Sequence, residues 1–327
     1  MEKRTELLVR LGKYMLEDSE TWEDVKHRAT NTNAWFTIEH IDIAVTNIVK
    51  ELLDEARLQA WLSEYTMPEQ PKKVGIVMAG NIPLVGFHDF LCGFLSGHRI
   101  YIKLSSKDEV LLKHLTDKLI EWEPEVREHV HIAEQLKDCD AYIATGSNNT
   151  SRYFEQYFGK YPNIIRRNRT SVAILEGDET QEELHELGKD VFTYYGLGCR
   201  NVTQVCVPEG YDLTKLMDAF NSYERYIHHN KYKNNYDYYL AIYLLNKVPY
   251  LTNNTIHMVE NAVPFSAVSV LHYRYYNNLK DLVHELQESN DIQTIVGRGF
   301  TPFGKAQEPS LNEYADGVDT MAFLCSL

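Results

Sequence analysis

Between residues 73 and 208, short apolar runs alternate with segments whose apolar residues recur at helical spacing. That alternation restricts the fold more than any other feature. "KKVGIVMAG" is a continuous apolar run of strand type ending in glycine. "LVGFHDFLCGFLSG" follows with Leu84, Phe87, Leu91 and Leu95 at helical spacing. "HRIYIKLS" reads as a strand again, and "SKDE" opens the next helix, with Ser106 and Glu109 in capping-box positions. "VHIAE", "AYIATGS", a helix through "SRYFEQYF", the strand "SVAILEG", a helix capped by Thr180 and Glu183, and "QVCVPEG" complete the series. Such alternation is the pattern of an α/β fold with a parallel, doubly wound sheet.

The flanks differ. Residues 1 to about 70 read as helices, and Ile41, Ala44, Ile48, Leu52 and Leu53 share one face. In the last third, "FSAVSVLHYRYY" and "IQTIVGRG" read as strands and "NNYDYYLAIYLLNK" as a helix. A chain of 327 residues holds two domains of ordinary size. The simplest boundary lies near residue 175. That gives a first domain over 1–175 with a helical N-terminal segment, and a second α/β domain over 176–327. The end of the second is free to return to the first.

A formal net charge of -14 lacks the basic footprint of broad nucleic-acid binding. The five cysteines show no CxxC pair, so neither a disulfide framework nor a zinc-like spacing is present in the sequence. "MEKRTELLVRLGKYMLED" is amphipathic and charged, unlike a secretory signal, and no apolar run has the length of a bilayer span. These features predict a cytoplasmic, reducing location with free thiols. His228-His229 has no carboxylate or cysteine at ligand spacing, so no metal site is expected.

Ligands of open α/β sheets gather at strand carboxyl ends. The groups there are Asn81 and Pro83, then Lys103, Ser105, Ser106 and Lys107, then Thr145-Gly146-Ser147, then Glu176-Gly177. Cys199 stands in "YYGLGCRNVTQVCVP", after two glycines and before a strand. Each has a plain structural reading. Asn81 and Thr145-Gly146-Ser147 are good helix entries, Glu176 suits a helix cap, and a buried cysteine is usually inert. The tyrosines of "YKNNYDYY" suit a packed helix or the lining of an apolar tunnel. Arg166, Arg167 and Arg169 of "IIRRNR" read as a solvated edge, with contact to the phosphates of a ligand as the alternative.

Taken together, the order Asn-x-Pro-Leu, strand-Lys, Thr-Gly-Ser, Glu-Gly and Gly-x-x-Cys resembles the aldehyde dehydrogenase superfamily. "YIKLSSKD", "HHNKYKNNYDYYLAIYLLN" and "IQTIVG" resemble its branch of LuxC-type acyl-CoA reductases, over roughly residues 70 to 300. Two motifs depart from the superfamily pattern. Gly196-Leu197-Gly198 replaces the usual Gly-Gln, and Glu176-Gly177-Asp178 is all that remains of Glu-Leu-Gly-Gly-Lys.

The resemblance implies a dinucleotide-binding first domain and a catalytic, thiol-bearing second domain. Cys199 would be the nucleophile, Asn81 an oxyanion donor, and Glu176 either a proton donor or acceptor for the thiol or only a cap. Lys103, Ser105, Ser106, Lys107, Thr145, Gly146 and Ser147 would meet the cofactor. Ser106 stands where the family carries a ribose-binding carboxylate, and Lys107 is beside it, which favours NADP while leaving NAD open. The implied activity is NAD(P)H-dependent reduction of a fatty acyl thioester to an aldehyde. Acyl-CoA or another thioester would be the substrate, with an acyl-donor protein and self-association as further partners. The alternatives are a cysteine acyltransferase or thioesterase without hydride transfer, and a non-catalytic scaffold of the same fold.

Overall fold

The computed structural model describes residues 2–327. The chain forms two compact units: one runs to Asn168 and takes up Glu308–Leu327 again, and the other is Arg169–Gln307.

The first unit opens with helices α1 (Glu2–Leu16), α2 (Glu20–Thr32), α3 (Ile38–Leu52) and α4 (Glu55–Leu62). Ser19, Thr37 and Asp54 cap the last three through their side chains. The Asp54 cap breaks the apolar face that runs on from α3 in the sequence. Next come β1 (Lys73–Val77), α5 (Phe87–Ser96), β2 (Arg99–Lys103), α6 (Val110–Trp122), β3 (Val130–Ile132), β4 (Ala141–Thr145), α7 (Asn148–Phe158) and β5 (Asn163–Arg166). The five strands lie in the order β3-β2-β1-β4-β5, and every pair is parallel. Helices cover both faces of such a sheet, so its central strands are apolar throughout, as β4 is up to Thr145.

Two sequence expectations change here. Ser106 and Glu109 form no capping box: α6 starts at Val110, Glu109 makes no side-chain cap, and Ser105 Oγ accepts from the Lys107 amide instead. Arg166 is not on a solvated edge. It ends β5 at 3% exposure, forms a 2.5 Å ion pair with Asp89 of α5, and donates to Thr320 Oγ1. A buried guanidinium is tolerable only with such partners. Arg167 remains exposed, against Glu155.

The second unit contains β6 (Thr170–Ile174), α8 (Gln181–Phe192), β7 (Val202–Pro208), α9 (Leu213–Phe220), α10 (Asn230–Asn246), β8 (Leu251–Thr252), β9 (His257–Glu260), β10 (Val270–Tyr276), α11 (Leu279–Glu288) and β11 (Ile292–Val296). Its sheet order is β11-β6-β7-β10-β9-β8, parallel except for the short β8 at one edge. The Thr180–Glu183 capping box opens α8 as expected. Within α10, Tyr232 and Tyr236 pack inward while Tyr238, Leu244 and Leu245 are exposed. The chain closes with α12 (Thr320–Cys325), packed on α5 in the first unit. Among the described residues no helix is long and apolar enough to cross a membrane. No group of His, Cys, Asp and Glu among them is placed to hold a metal ion.

Candidate active site

In the first sheet, the chain leaves β1 toward β2 and β3 on one side, and β4 returns on the other. The carboxyl ends of β1 and β4 therefore flank a topological switch point, where open α/β sheets bind ligands. The loop after β1 carries Asn81, which is exposed, and Pro83, which is buried. Beside it, Lys103 at the end of β2 and Ser106 and Lys107 after it are exposed, and Ser105 is half-buried. Gly80 lets the two loops close on one another, since a Cβ there would sit 2.6 Å from Ser105 Oγ. Thr145, the last residue of β4, and Gly146 after it are half-buried, and Ser147 caps α7 by accepting from the Thr150 amide at 3.3 Å. The expected cofactor residues thus share one edge of one sheet. Exposed lysines and an open helix start make a donor set suited to an anionic dinucleotide.

In the second unit, Cys199 is half-buried in a turn directly ahead of β7. Three successive residues before it, Tyr194, Tyr195 and Gly196, are left-handed, with φ of 55°, 58° and 75°. A non-glycine residue in that region costs on the order of 1–3 kcal/mol and persists only where its surroundings over-determine it. Here they do. The Tyr195 ring lies on His229 at 4.3 Å and edge-on to Tyr226 at 5.4 Å, and Phe192 stacks on Tyr223 at 4.9 Å.

The turn itself is pinned by Asn201, which is fully buried. Its Oδ1 accepts from the Gly198 amide at 2.8 Å, and its Nδ2 donates to the Asp190 and Thr193 carbonyls at 2.9 and 2.8 Å. The Asn201 amide closes the turn onto the Gly198 carbonyl at 3.1 Å. Ser171 Oγ, on β6, donates to the Cys199 carbonyl at 3.1 Å. The thiol is therefore carried by a backbone fixed from three sides: the helix end, the strand and the aromatic block.

Asp190, also fully buried, accepts from the Gly304 and Ala306 amides at 2.7 and 2.9 Å. It ties residues 304–306 to the same helix end. Burial raises its carboxyl to about 7, against the pull of those two amides.

Glu176 requires a correction. It is exposed and follows the carboxyl end of β6, whereas Cys199 is hydrogen-bonded to Ser171 near the amino end of that strand. β6 and β7 are parallel, with Ser171 opposite Val202 and Ile174 opposite Cys206. Five residues of strand at about 3.3 Å each separate the two groups by roughly 16 Å. Glu176 cannot exchange a proton with the Cys199 thiol. Its amide instead donates to Glu179. Asn201 and Asp190 were not singled out in the sequence. The one available signal for Asn201 was a polar residue between a turn and an apolar strand, which an ordinary cap would also provide.

The family model that describes acyl-CoA reductases of the LuxC type matches residues 46–215, over half of the chain. The chain belongs to the LuxC acyl-CoA reductase family. The matched span includes Asn81, Lys103, Thr145 and Cys199, while α10 and β11 lie beyond it. No curated protein matches the chain. Among solved structures, the putative aldehyde dehydrogenase PutA from Anabaena variabilis is similar at a TM-score of 0.66 and 13% identity, covering 93% of this chain and 75% of that one. An aldehyde dehydrogenase from Mycobacterium tuberculosis, complexed with NAD+, is similar at 0.65 and 14%, covering 90% and 72%. The glyceraldehyde-3-phosphate dehydrogenase GapN from Methanocaldococcus jannaschii, complexed with NADP, is similar at 0.64 and 13%, covering 90% and 75%. This LuxC-family chain has the aldehyde dehydrogenase fold.

Proposed function

We propose that the protein reduces a fatty acyl thioester to the aldehyde with NAD(P)H, through a thioacyl bond on Cys199. The observation that carries the reading is the Cys199 turn. A cysteine within the family match is presented by three left-handed residues and held by a buried asparagine. Strain of that kind clusters at functional sites.

The Cys199 thiolate attacks the thioester carbonyl carbon, and a C–S bond forms as the carbonyl becomes an oxyanion. The Asn81 side-chain amide and the Cys199 backbone N–H are the proposed donors to that oxyanion. Coenzyme A then leaves as its thiolate, and the acyl group remains on Cys199. When bound, a reduced nicotinamide supplies the hydride that brings the carbonyl carbon to the aldehyde level. Return of the electron pair to Sγ releases the aldehyde and restores Cys199. No residue need activate water, and a reductase gains by keeping water from its thioester. The exposed position of Glu176, away from the thiol, agrees with this.

Lys103, Ser105, Ser106 and Lys107, with the helix start at Thr145, Gly146 and Ser147, are the proposed cofactor contacts. Ser106 offers no carboxylate to repel a 2′-phosphate and Lys107 adds a cation, so NADPH is the favoured donor over NADH. Incubation of the purified protein with acyl-CoA and either nucleotide tests the reading. Nicotinamide oxidation with matching aldehyde supports it. Free coenzyme A without nicotinamide oxidation would assign a transferase or thioesterase, and no acylation with no nucleotide binding would assign a scaffold.

A further inference from the structure

Asp108 lies in the loop between β2 and α6 and is 8% exposed. Its Oδ2 accepts from the Leu84 amide at 2.7 Å, and its Oδ1 is buried without a protein partner. No ion pair reaches it among the described residues, and burial pushes its carboxyl well above the usual range. The turn that carries Asp108 is itself fixed. The Asp108 amide closes onto the Ser105 carbonyl at 2.9 Å, and Asn33, at the end of α2, donates to the Lys107 carbonyl at 3.2 Å.

The residue it holds is unusual. Leu84 has φ of 56°, a left-handed conformation that a branched side chain rarely adopts. It stands three residues after Asn81 and starts the entry into α5, with its carbonyl accepting from the Phe87 amide at 2.9 Å. Gly80, on the other side of Asn81, is packed onto Ser105 and Asp108, where a Cβ would come within 3.2 Å of Asp108 Cβ. The segment from Gly80 to Leu84 is thus gripped at both ends by the Ser105–Asp108 turn, with Asn81 exposed between the grips.

We infer that Asp108 is the positioning residue for the Asn81 loop, fixing the strained Leu84 backbone so that the Asn81 amide is presented in one place. The inference rests on the proposed role of Asn81 in acylation. It assigns a function to a buried carboxyl that touches neither substrate nor cofactor in that scheme.

Asp108→Asn keeps the shape and an acceptor for the Leu84 amide, whereas Asp108→Leu keeps the volume and removes the acceptor. Hydrogen exchange at Leu84 and the rate of Cys199 acylation are measured in both, in Asn81→Ala, and in the Asn81→Ala/Asp108→Leu double variant. The expected result is faster Leu84 exchange, by tenfold or more, and at least tenfold slower acylation in Asp108→Leu. Asp108→Asn should restore both measurements to within a few-fold. In the Asn81→Ala background, Asp108→Leu should slow acylation no further. Two residues acting through one group are non-additive, whereas a general loss of structure would add. Native Leu84 exchange in Asp108→Leu overturns the inference, as does a full additive loss in the double variant. If Asn81→Ala leaves acylation unchanged, the oxyanion reading fails, and Leu84 exchange alone decides whether Asp108 holds the loop.

Discussion

The candidate groups stand at opposite ends of the two sheets. In the first, the loop after β1 and the ends of β2 and β4 bring Asn81, Lys103 and Thr145 to the carboxyl edge, at a switch point where such sheets bind ligands. In the second, Cys199 stands at the amino end of β7, and the carboxyl edge holds Glu176 in solvent. At the amino edge of β7, the turn before the strand is strained, pinned and backed by aromatic rings. The rule that ligands gather at strand carboxyl ends groups the proposed cofactor residues on one edge of the first sheet, and it puts Glu176 at the edge away from Cys199.

Four substitutions break or sharpen that contrast. The largest effect is expected at the first sheet's edge. Loss of one oxyanion donor typically costs 10²–10³ in turnover, so Asn81→Ala should slow acylation by about that factor in single-turnover assays, with nucleotide affinity intact.

Asn201→Ala removes the buried grip on the Cys199 turn. Each net hydrogen bond contributes about 1 kcal/mol, and groups left buried without partners cost more. A loss of about 2–4 kcal/mol in urea unfolding is expected, with acylation slowed about tenfold or more.

Asp190 sets a pH dependence on the second unit. Its carboxyl is held at about 7 by burial when folded, against about 4 for an unfolded aspartate. Between those values the folded chain keeps a proton that the unfolded chain has lost, so stability falls as pH rises from about 4 to about 7 and levels off above. One such group contributes at most about 1.4 kcal/mol per pH unit. Glu186 pushes this carboxyl up while Lys189 and the Gly304 and Ala306 amides pull it down. Urea midpoints measured from pH 5 to 8 should decline in the wild type and flatten in Asp190→Asn.

The smallest effect belongs to Glu176. Glu176→Ala should leave acylation within about twofold, and a large loss there would contradict the separation of the two edges.

The alternating strands from "KKVGIVMAG" to "QVCVPEG" were legible because strands buried on both faces read as apolar runs and helices as periodic ones. β5 was passed over. Its "NIIR" is short and ends in an arginine whose buried partners, Asp89 and Thr320, lie far off in the chain. The Ser106–Glu109 spacing fitted a capping box, yet the turn that closes on Asn33 and Leu84 delays the helix to Val110. The turn that carries Cys199 was visible from its glycines. Asn201 and Asp108 were not, since a buried polar residue is defined by partners that only the fold brings together.

The central claim is that Cys199 is the residue acylated. Labelled acyl-CoA, without nucleotide, followed by peptide mass mapping of the wild type, Cys199→Ala and Cys206→Ala tests it directly. Cys206 is a suitable control, being fully buried on β7 beside Arg274 with its thiol pushed up by burial. The account predicts one acyl group on the peptide that carries Cys199, present in Cys206→Ala and absent in Cys199→Ala. An acyl adduct that survives in Cys199→Ala would contradict it.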